Sequence, residues 1–391
     1  MIGVPGIKFF SPRIGGAIIF WLAAGALQKL DWGDGAYIAL LLLAFAASAI
    51  YLGRHNGERS ATFDDRLPGI ALILVGLALL FQIVFMFIRL GHPSALDITV
   101  TTFDAGRALL KGLNPYAIRL DPYAAGTPSP PEFSGYKYLP VMALIYLPLA
   151  AVFGAAGMVL TNLLCQFGVI AGIYTLGRKL RDRRAGLFAV LIYLTIPLVT
   201  FQLFAKGATD IAATLPLIFA LVLYERRPFG AGLLVGLSIS TKLSPGLMLI
   251  PSCLPAGKRD RWTYLGGIAV GLLPTLGFLL WSPLALWNNV VVFNWERGVD
   301  TTSWLSLMPT DFASVAHVAL FMLLAASFVL VWSRPPTLRM RIALAVVLIL
   351  AALLSGPGAH HNYHLWWLPL FCPLLMAADW SAPWSLKKSP S

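Results

Sequence analysis

Apolar residues fill this chain in long blocks, with polar residues gathered into the short stretches between them. Many blocks approach the roughly 20 residues that cross a bilayer as a helix. The pattern predicts helices over 14–30, 36–52, 69–90, 138–154, 157–177, 187–204, 210–225, 230–256, 263–281, 313–333, 342–355 and 366–379. Two connections are long, 91–137 and 282–312. Both are rich in Pro, Trp, Tyr and Asn, as suits loops and short helices resting at a membrane interface. No fixed-period repeat or soluble linker interrupts the series, so 1–391 reads as one domain.

Composition sharpens this picture. Of the 391 residues 58% are hydrophobic and only 12% charged, about half the charged share of a soluble domain. The fold class expected is all-α: a polytopic membrane protein of about 11–13 transmembrane or re-entrant helices. The formal charge of +12 fits basic cytoplasmic loops, and no basic-aromatic run of the kind that tracks nucleic acid is present. Cys165, Cys253 and Cys372 lie inside apolar segments, where packing is their expected role. The first apolar run lacks a small-residue cleavage site, so 14–30 reads as a retained helix.

Loop charge orients the chain. Lys8 and Arg13 set the N-terminus inside, and the three arginines of 53–69 return inside, which sends loop 91–137 to the outer face. If every later segment crosses fully, "RKLRDRR" at 178–184 falls outside. Two adjustments remove the conflict. Segment 138–177 crosses only once in total, and 230–256 is a broken hairpin around "STKLSPG". Then 178–184, 226–227, 257–261, 334–341 and the C-terminal Lys387 and Lys388 all lie inside. Loop 91–137, Lys206, Asp210, Lys242, loop 282–312 and "HHNYH" at 360–364 all lie outside.

These outer polar groups are the candidate chemistry, since a charge at membrane depth costs about 2.5–3.5 kcal/mol and needs a partner or a wet cavity. In "DITVTTFDAGRALLKGLNPY" Asp97 and Asp104 stand seven apart, so in a helix both share one face. Either can accept a proton, and Asp104 can instead cap the helix "DAGRALLKGL". Asn114 and Tyr116 suit a sugar hydroxyl or simply form the turn "GLNPY". Tyr138 in "YKYLP" marks re-entry into the membrane. Asp210 opens an otherwise uncharged helix, as a cap or a ligand. Lys242, beside a Pro-Gly break, can meet a lipid phosphate or pair with a buried acid such as Asp210. His360, His361 and His364 suit phosphate or hydroxyl binding; without an HExxH pattern or a nearby acid, no metal site is expected. No Gly-rich phosphate loop, nucleophile elbow or CxxC pair occurs.

The order of these pieces resembles the C-type (GT-C) membrane glycosyltransferases. An acid after an early span precedes "DAGRALLKGLNPY", then "YKYLPVMALIYLPLA", then "STKLSPGLMLIP". The likeness is greatest to the polyprenol-phosphate-mannose-dependent mannosyltransferase branch, where bacterial relatives read "D…aaRALL-G-NPY…YPPL-ALL-PLA". It covers roughly 90–256. The chain departs from that pattern in "YKYLP", where an aromatic-Pro-Pro is usual, and in the insertion at 121–135.

The resemblance implies inverting sugar transfer, usually of mannose or another hexose, from a polyprenyl-phosphate donor to a lipid or glycan acceptor. The site would lie at the outer face of the cell membrane, with both termini cytoplasmic. It implies Asp97 as general base, matches Asp104 to a second acid in a eukaryotic relative, and likens Asp210 to an acid opening a later helix in other members. A lipid phosphate leaves as a weakly basic anion and needs positive charge, a task for Lys242, Arg107, His361 or His364. Asn114, Tyr116, Tyr138, Asp210 and His360 are the candidates for sugar or acceptor. No cofactor is required, although a divalent ion between the outer acids is compatible, and the chain is read as a monomer. The rival reading is a transporter or flippase of a lipid-linked sugar, which would be expected to show paired repeats.

Overall fold

A computed structural model describes residues 67–90, 96–120, 134–296, 298–300, 303–309, 312–358 and 360–377. The helices expected at 14–30 and 36–52 and the C-terminal lysines lie outside the described residues. Within them every regular element is helical. In chain order these are α1 (Leu67–Leu90), α2 (Asp97–Leu110), α3 (Pro140–Phe153), α4 (Ala155–Leu180), α5 (Arg183–Thr195), α6 (Pro197–Thr200), α7 (Ile211–Leu223), α8 (Pro228–Thr241) and α9 (Leu243–Cys253). They continue as α10 (Lys258–Gly271), α11 (Leu273–Trp281), α12 (Pro283–Leu286), α13 (Phe293–Glu296), α14 (Phe312–Ser333), α15 (Leu338–Ser355) and α16 (His364–Ala377). Wider π turns extend α6 over Phe201–Ala205 and join α12 to α13 over Trp287–Val292.

Four helices, α1, α4, α14 and α15, are each long and apolar enough to cross a bilayer. Counting the bent pairs α5–α6 and α10–α11 as single spans gives up to six. The α5–α6 pair bends by 62° because Pro197 lacks an N–H and breaks the ladder. The Leu194 carbonyl near the bend is taken by Gln82 Nε2 at 3.2 Å. Gln82 is itself tied to Thr200 and Gln166, so this buried polar cluster is satisfied from α1 and α4.

Within 140–180 only α4 is long and apolar enough to cross a bilayer. Leu139 is extended before Pro140, and α3, about 21 Å long, ends at Gly154 with φ +60°. The chain doubles back so tightly that a side chain on Gly157 would meet the Leu149 carbonyl. Tyr146 on α3 donates to Asn162 and to the Thr209 carbonyl, which keeps α3 at one end of the bundle. Only α4 travels to the other end, where Lys179 Nζ donates to the Val222 carbonyl at 2.6 Å.

The hairpin at 228–253 forms as two half-helices. Gly232 and Gly236 of α8 sit against Tyr264 and Ile268 of α10, which makes those two helices parallel. Helix α9 therefore runs back the other way: Gly246 lies on Ile239, and the Ile250 carbonyl accepts from the Tyr264 hydroxyl at 3.0 Å. Lys242, extended at ψ 122°, is the tip.

These packings sort the charges by end. At one end Arg341 donates to the Ser252 and Leu254 carbonyls and lies over the Tyr224 ring. Arg261 there donates to the Trp332 carbonyl, and Arg339 to that of Ala377. The basic stretches 178–184, 226–227, 257–261 and 334–341 gather there. The start of α2, the Asp210 turn, Lys242 and 360–364 gather at the other.

Candidate active site

Asp210 is the centre of the polar end. Its side chain has 0% exposure, and Lys242 Nζ lies 2.6 Å from Oδ1 with 12% of its side chain exposed. Trp366 Nε1 donates to the same oxygen at 3.0 Å, and Asn362 Nδ2 donates to Oδ2 at 2.5 Å. Lys242 is also ringed by aromatics, with centroids at 4.4 Å for Tyr363, 4.9 Å for Trp366 and 5.6 Å for Tyr138. Tyr363 and Trp366 stack at 4.5 Å. Three distant stretches thus meet at one carboxylate: the head of α7, the hairpin tip and the segment leading into α16. Asp210 does not cap α7 with its side chain. Each bond compensates a charge that could not otherwise be buried.

Helix α2 is docked onto the turn that leads to Asp210. The Leu96 N–H donates to the Lys206 carbonyl at 3.4 Å and the Thr99 hydroxyl to the Gly207 carbonyl at 2.8 Å. This anchoring starts the helix at Asp97. The cap expected of Asp104 is therefore corrected: Asp104 sits in mid-helix, and Asp97 occupies the first turn, where the helix dipole favours a carboxylate. Asp97 is exposed, and Oδ1 accepts from the Ile98 N–H at 2.7 Å. Asp97 and Asp104 fall on one stripe, about 10 Å apart along the axis.

Tyr138 lies within electrostatic reach of both Asp97 and Asp210. Burial first, then Asp97, Tyr363, Asp210 and Tyr136, raise its phenol well above the ordinary range, so it remains a proton donor. Its carbonyl is held by the Tyr116 hydroxyl at 2.7 Å. Tyr116 is enclosed by Tyr136 and Phe278, and it positions Tyr138 instead of facing a ligand. Gly112, at φ +70°, ends α2. Asn114 Oδ1 accepts from the Tyr116 N–H at 2.9 Å, so its acceptor oxygen serves the turn. Asn289 locks the loop from the second outer segment: it accepts from Gly135 N–H at 2.9 Å and donates to the Tyr116 carbonyl at 3.2 Å.

The expected phosphate ligands separate. Lys242 is paired with Asp210, the alternative its sequence context left open. Arg107 is exposed, ten residues beyond Asp97 and about 15 Å further along α2. His364 Nδ1 accepts from Trp367 Nε1 at 2.9 Å, and His360 lies 3.8 Å from Asp300. His361 is exposed. Among the described residues no three His, Cys, Asp or Glu side chains gather to hold a metal ion. Sequence reasoning missed Asn362 and Trp366. The signal available was an amide and an indole beside the histidines, opposite a buried acid that needed more than one donor.

Compared with known families, residues 136–357, more than half of the chain, match the model described as Glycosyltransferase family 87. The matched stretch takes in Tyr138, Asp210 and Lys242 and begins after Asp97. No curated protein and no solved structure matches the chain.

Proposed function

This chain belongs to glycosyltransferase family 87, and from that premise we propose that it moves a hexose, mannose foremost, from a polyprenyl-phosphate donor to a lipid or polysaccharide acceptor with inversion. The observation that carries this proposal is the docking of the acid-bearing start of α2 beside the Asp210–Lys242 centre, at the end away from the basic clusters. By the positive-inside bias, the basic end is cytoplasmic and the site faces outward.

Asp97 is the general base. It takes the proton of the acceptor hydroxyl as that oxygen attacks the anomeric carbon. The bond from that carbon to the phosphate oxygen breaks with its electron pair on the phosphate, and polyprenyl phosphate departs. The leaving group needs a cation and no proton, so the balance closes without a general acid. Asp104, further along the same stripe, is the second acid of the site. Tyr138 and Tyr363 border the sugar, and the Asp210–Lys242 pair holds them in place. The apolar surfaces of neighbouring helices would carry the polyprenyl tail.

Purified protein in nanodiscs, given radiolabelled polyprenyl-phosphate mannose and a lipid extract, tests this. Asp97→Asn is expected to lower transfer by at least about a hundredfold without changing the unfolding temperature, since the carboxylate is exposed. Normal transfer by that variant would refute the base assignment. Movement of a lipid-linked sugar across vesicles, with no transfer from any polyprenyl-phosphate hexose, would favour a flippase.

A further inference from the structure

The transfer needs positive charge on the phosphate side of the anomeric carbon, and the lysines at this end differ in what they already do. Lys242 is committed to Asp210, and drawing it away would strand a fully enclosed carboxylate. Lys206 has no such commitment. It follows the π turn Phe201–Ala205, is partly exposed, and lies 5.5 Å from the Phe201 ring centroid, with no carboxylate in ion-pair reach among the described residues. Its backbone is fixed: its N–H donates to the Phe201 carbonyl at 3.0 Å, and the Ala208 N–H donates to Gln202 at 2.8 Å. Gly207 makes the intervening turn at φ +66°. The Lys206 carbonyl receives the Leu96 N–H, one residue before Asp97.

We infer that Lys206 is the cation that meets the donor's phosphate, an assignment that rests on the polyprenyl-phosphate reading above. In an in-line displacement the base and the leaving oxygen are separated by the acceptor oxygen and the anomeric carbon, roughly 6–8 Å in all. Backbones in contact at Leu96 and Lys206 suit that spacing. A short carboxylate and a long lysine side chain then reach opposite sides of one sugar. Arg107, at the far end of α2, does not share this anchoring. The same ammonium would also suit the phosphate of a bulk phospholipid, so the test separates the two sources.

Wild type, Lys206→Gln and Lys206→Arg are placed in nanodiscs of phosphatidylcholine, with or without phosphatidylglycerol. Binding of a short-chain polyprenyl phosphate is followed by tryptophan fluorescence, and transfer is measured across donor and acceptor concentrations. Lys206→Gln is expected to weaken polyprenyl-phosphate binding and raise the donor KM by about tenfold to a hundredfold. The acceptor KM and unfolding temperature stay as in wild type, and Lys206→Arg recovers most of the loss. Unchanged polyprenyl-phosphate binding by Lys206→Gln overturns the inference and leaves the donor reading standing. An arginine variant as impaired as the glutamine one also overturns it, since charge is then not the cause. A defect seen only with phosphatidylglycerol reassigns Lys206 to lipid headgroups and overturns it equally. Wild type that binds no polyprenyl phosphate removes the donor reading, and this assignment with it.

Discussion

Asp210 shares its two oxygens among an ammonium, an amide and an indole, and none of its surface reaches solvent. Removing one member of a buried ion pair leaves the other uncompensated, at a cost of about 3–5 kcal/mol. Lys242→Met should therefore lower the unfolding temperature in detergent sharply, as read by intrinsic fluorescence. The double change Asp210→Leu with Lys242→Met should recover part of that loss, because no charge is then buried. Recovery stays partial, since Asn362 and Trp366 keep unpaired donors. A Lys242→Met protein that unfolds at the wild-type temperature would show that the pair holds nothing together. Asp97 is the contrast: exposed, with one hydrogen bond to its neighbour's N–H, it can be lost without loss of fold.

At the level of elements, the aim of Lys242 depends on how closely α8 and α10 pack. A side chain on Gly232 would come within 1.9 Å of the Tyr264 carbonyl oxygen, and one on Gly267 within 2.2 Å of that of Phe229. Gly266, one position away, has nothing within 4 Å. Gly232→Ala and Gly267→Ala are expected to cut the yield of monodisperse protein on size-exclusion chromatography, since backbone cannot yield as a flexible side chain does. Gly266→Ala should match or exceed wild type, as alanine is favoured over glycine in a helix by about 0.5–1 kcal/mol. Equal behaviour of the three would mean that the helices do not approach this closely. Pushing α8 off α10 would move the hairpin tip and with it the ammonium that Asp210 requires.

For the whole molecule, the separation of basic end from acidic site fixes a testable orientation. Cys165, Cys253 and Cys372 are all buried, so a single introduced cysteine reports cleanly. Lys111→Cys, on an exposed position past α2, should react with a membrane-impermeant maleimide in intact cells. Arg227→Cys, exposed at the basic end, should react only after permeabilisation. The reverse pattern would put the site on the cytoplasmic side and end the outer-face proposal. Helix α14 presents exposed apolar side chains along nearly its whole length, as expected where lipid is the neighbour.

Much of this was legible along the chain, because membrane helices announce themselves through uninterrupted apolar length. The polytopic all-α class and the break at Lys242 both follow from local features: apolar runs, prolines and the need to keep arginines at one end. The acids and the lysine were visible too, since a charge amid apolar residues has few explanations. Their partners were not. That Asp210 would take Lys242, Asn362 and Trp366 together, that α2 would begin at Asp97, and that Tyr116 would serve Tyr138 depend on contacts between segments distant in sequence. Hydrophobic period and loop charge say which residues leave the lipid; only the packing of one helix on another decides which of them then meet.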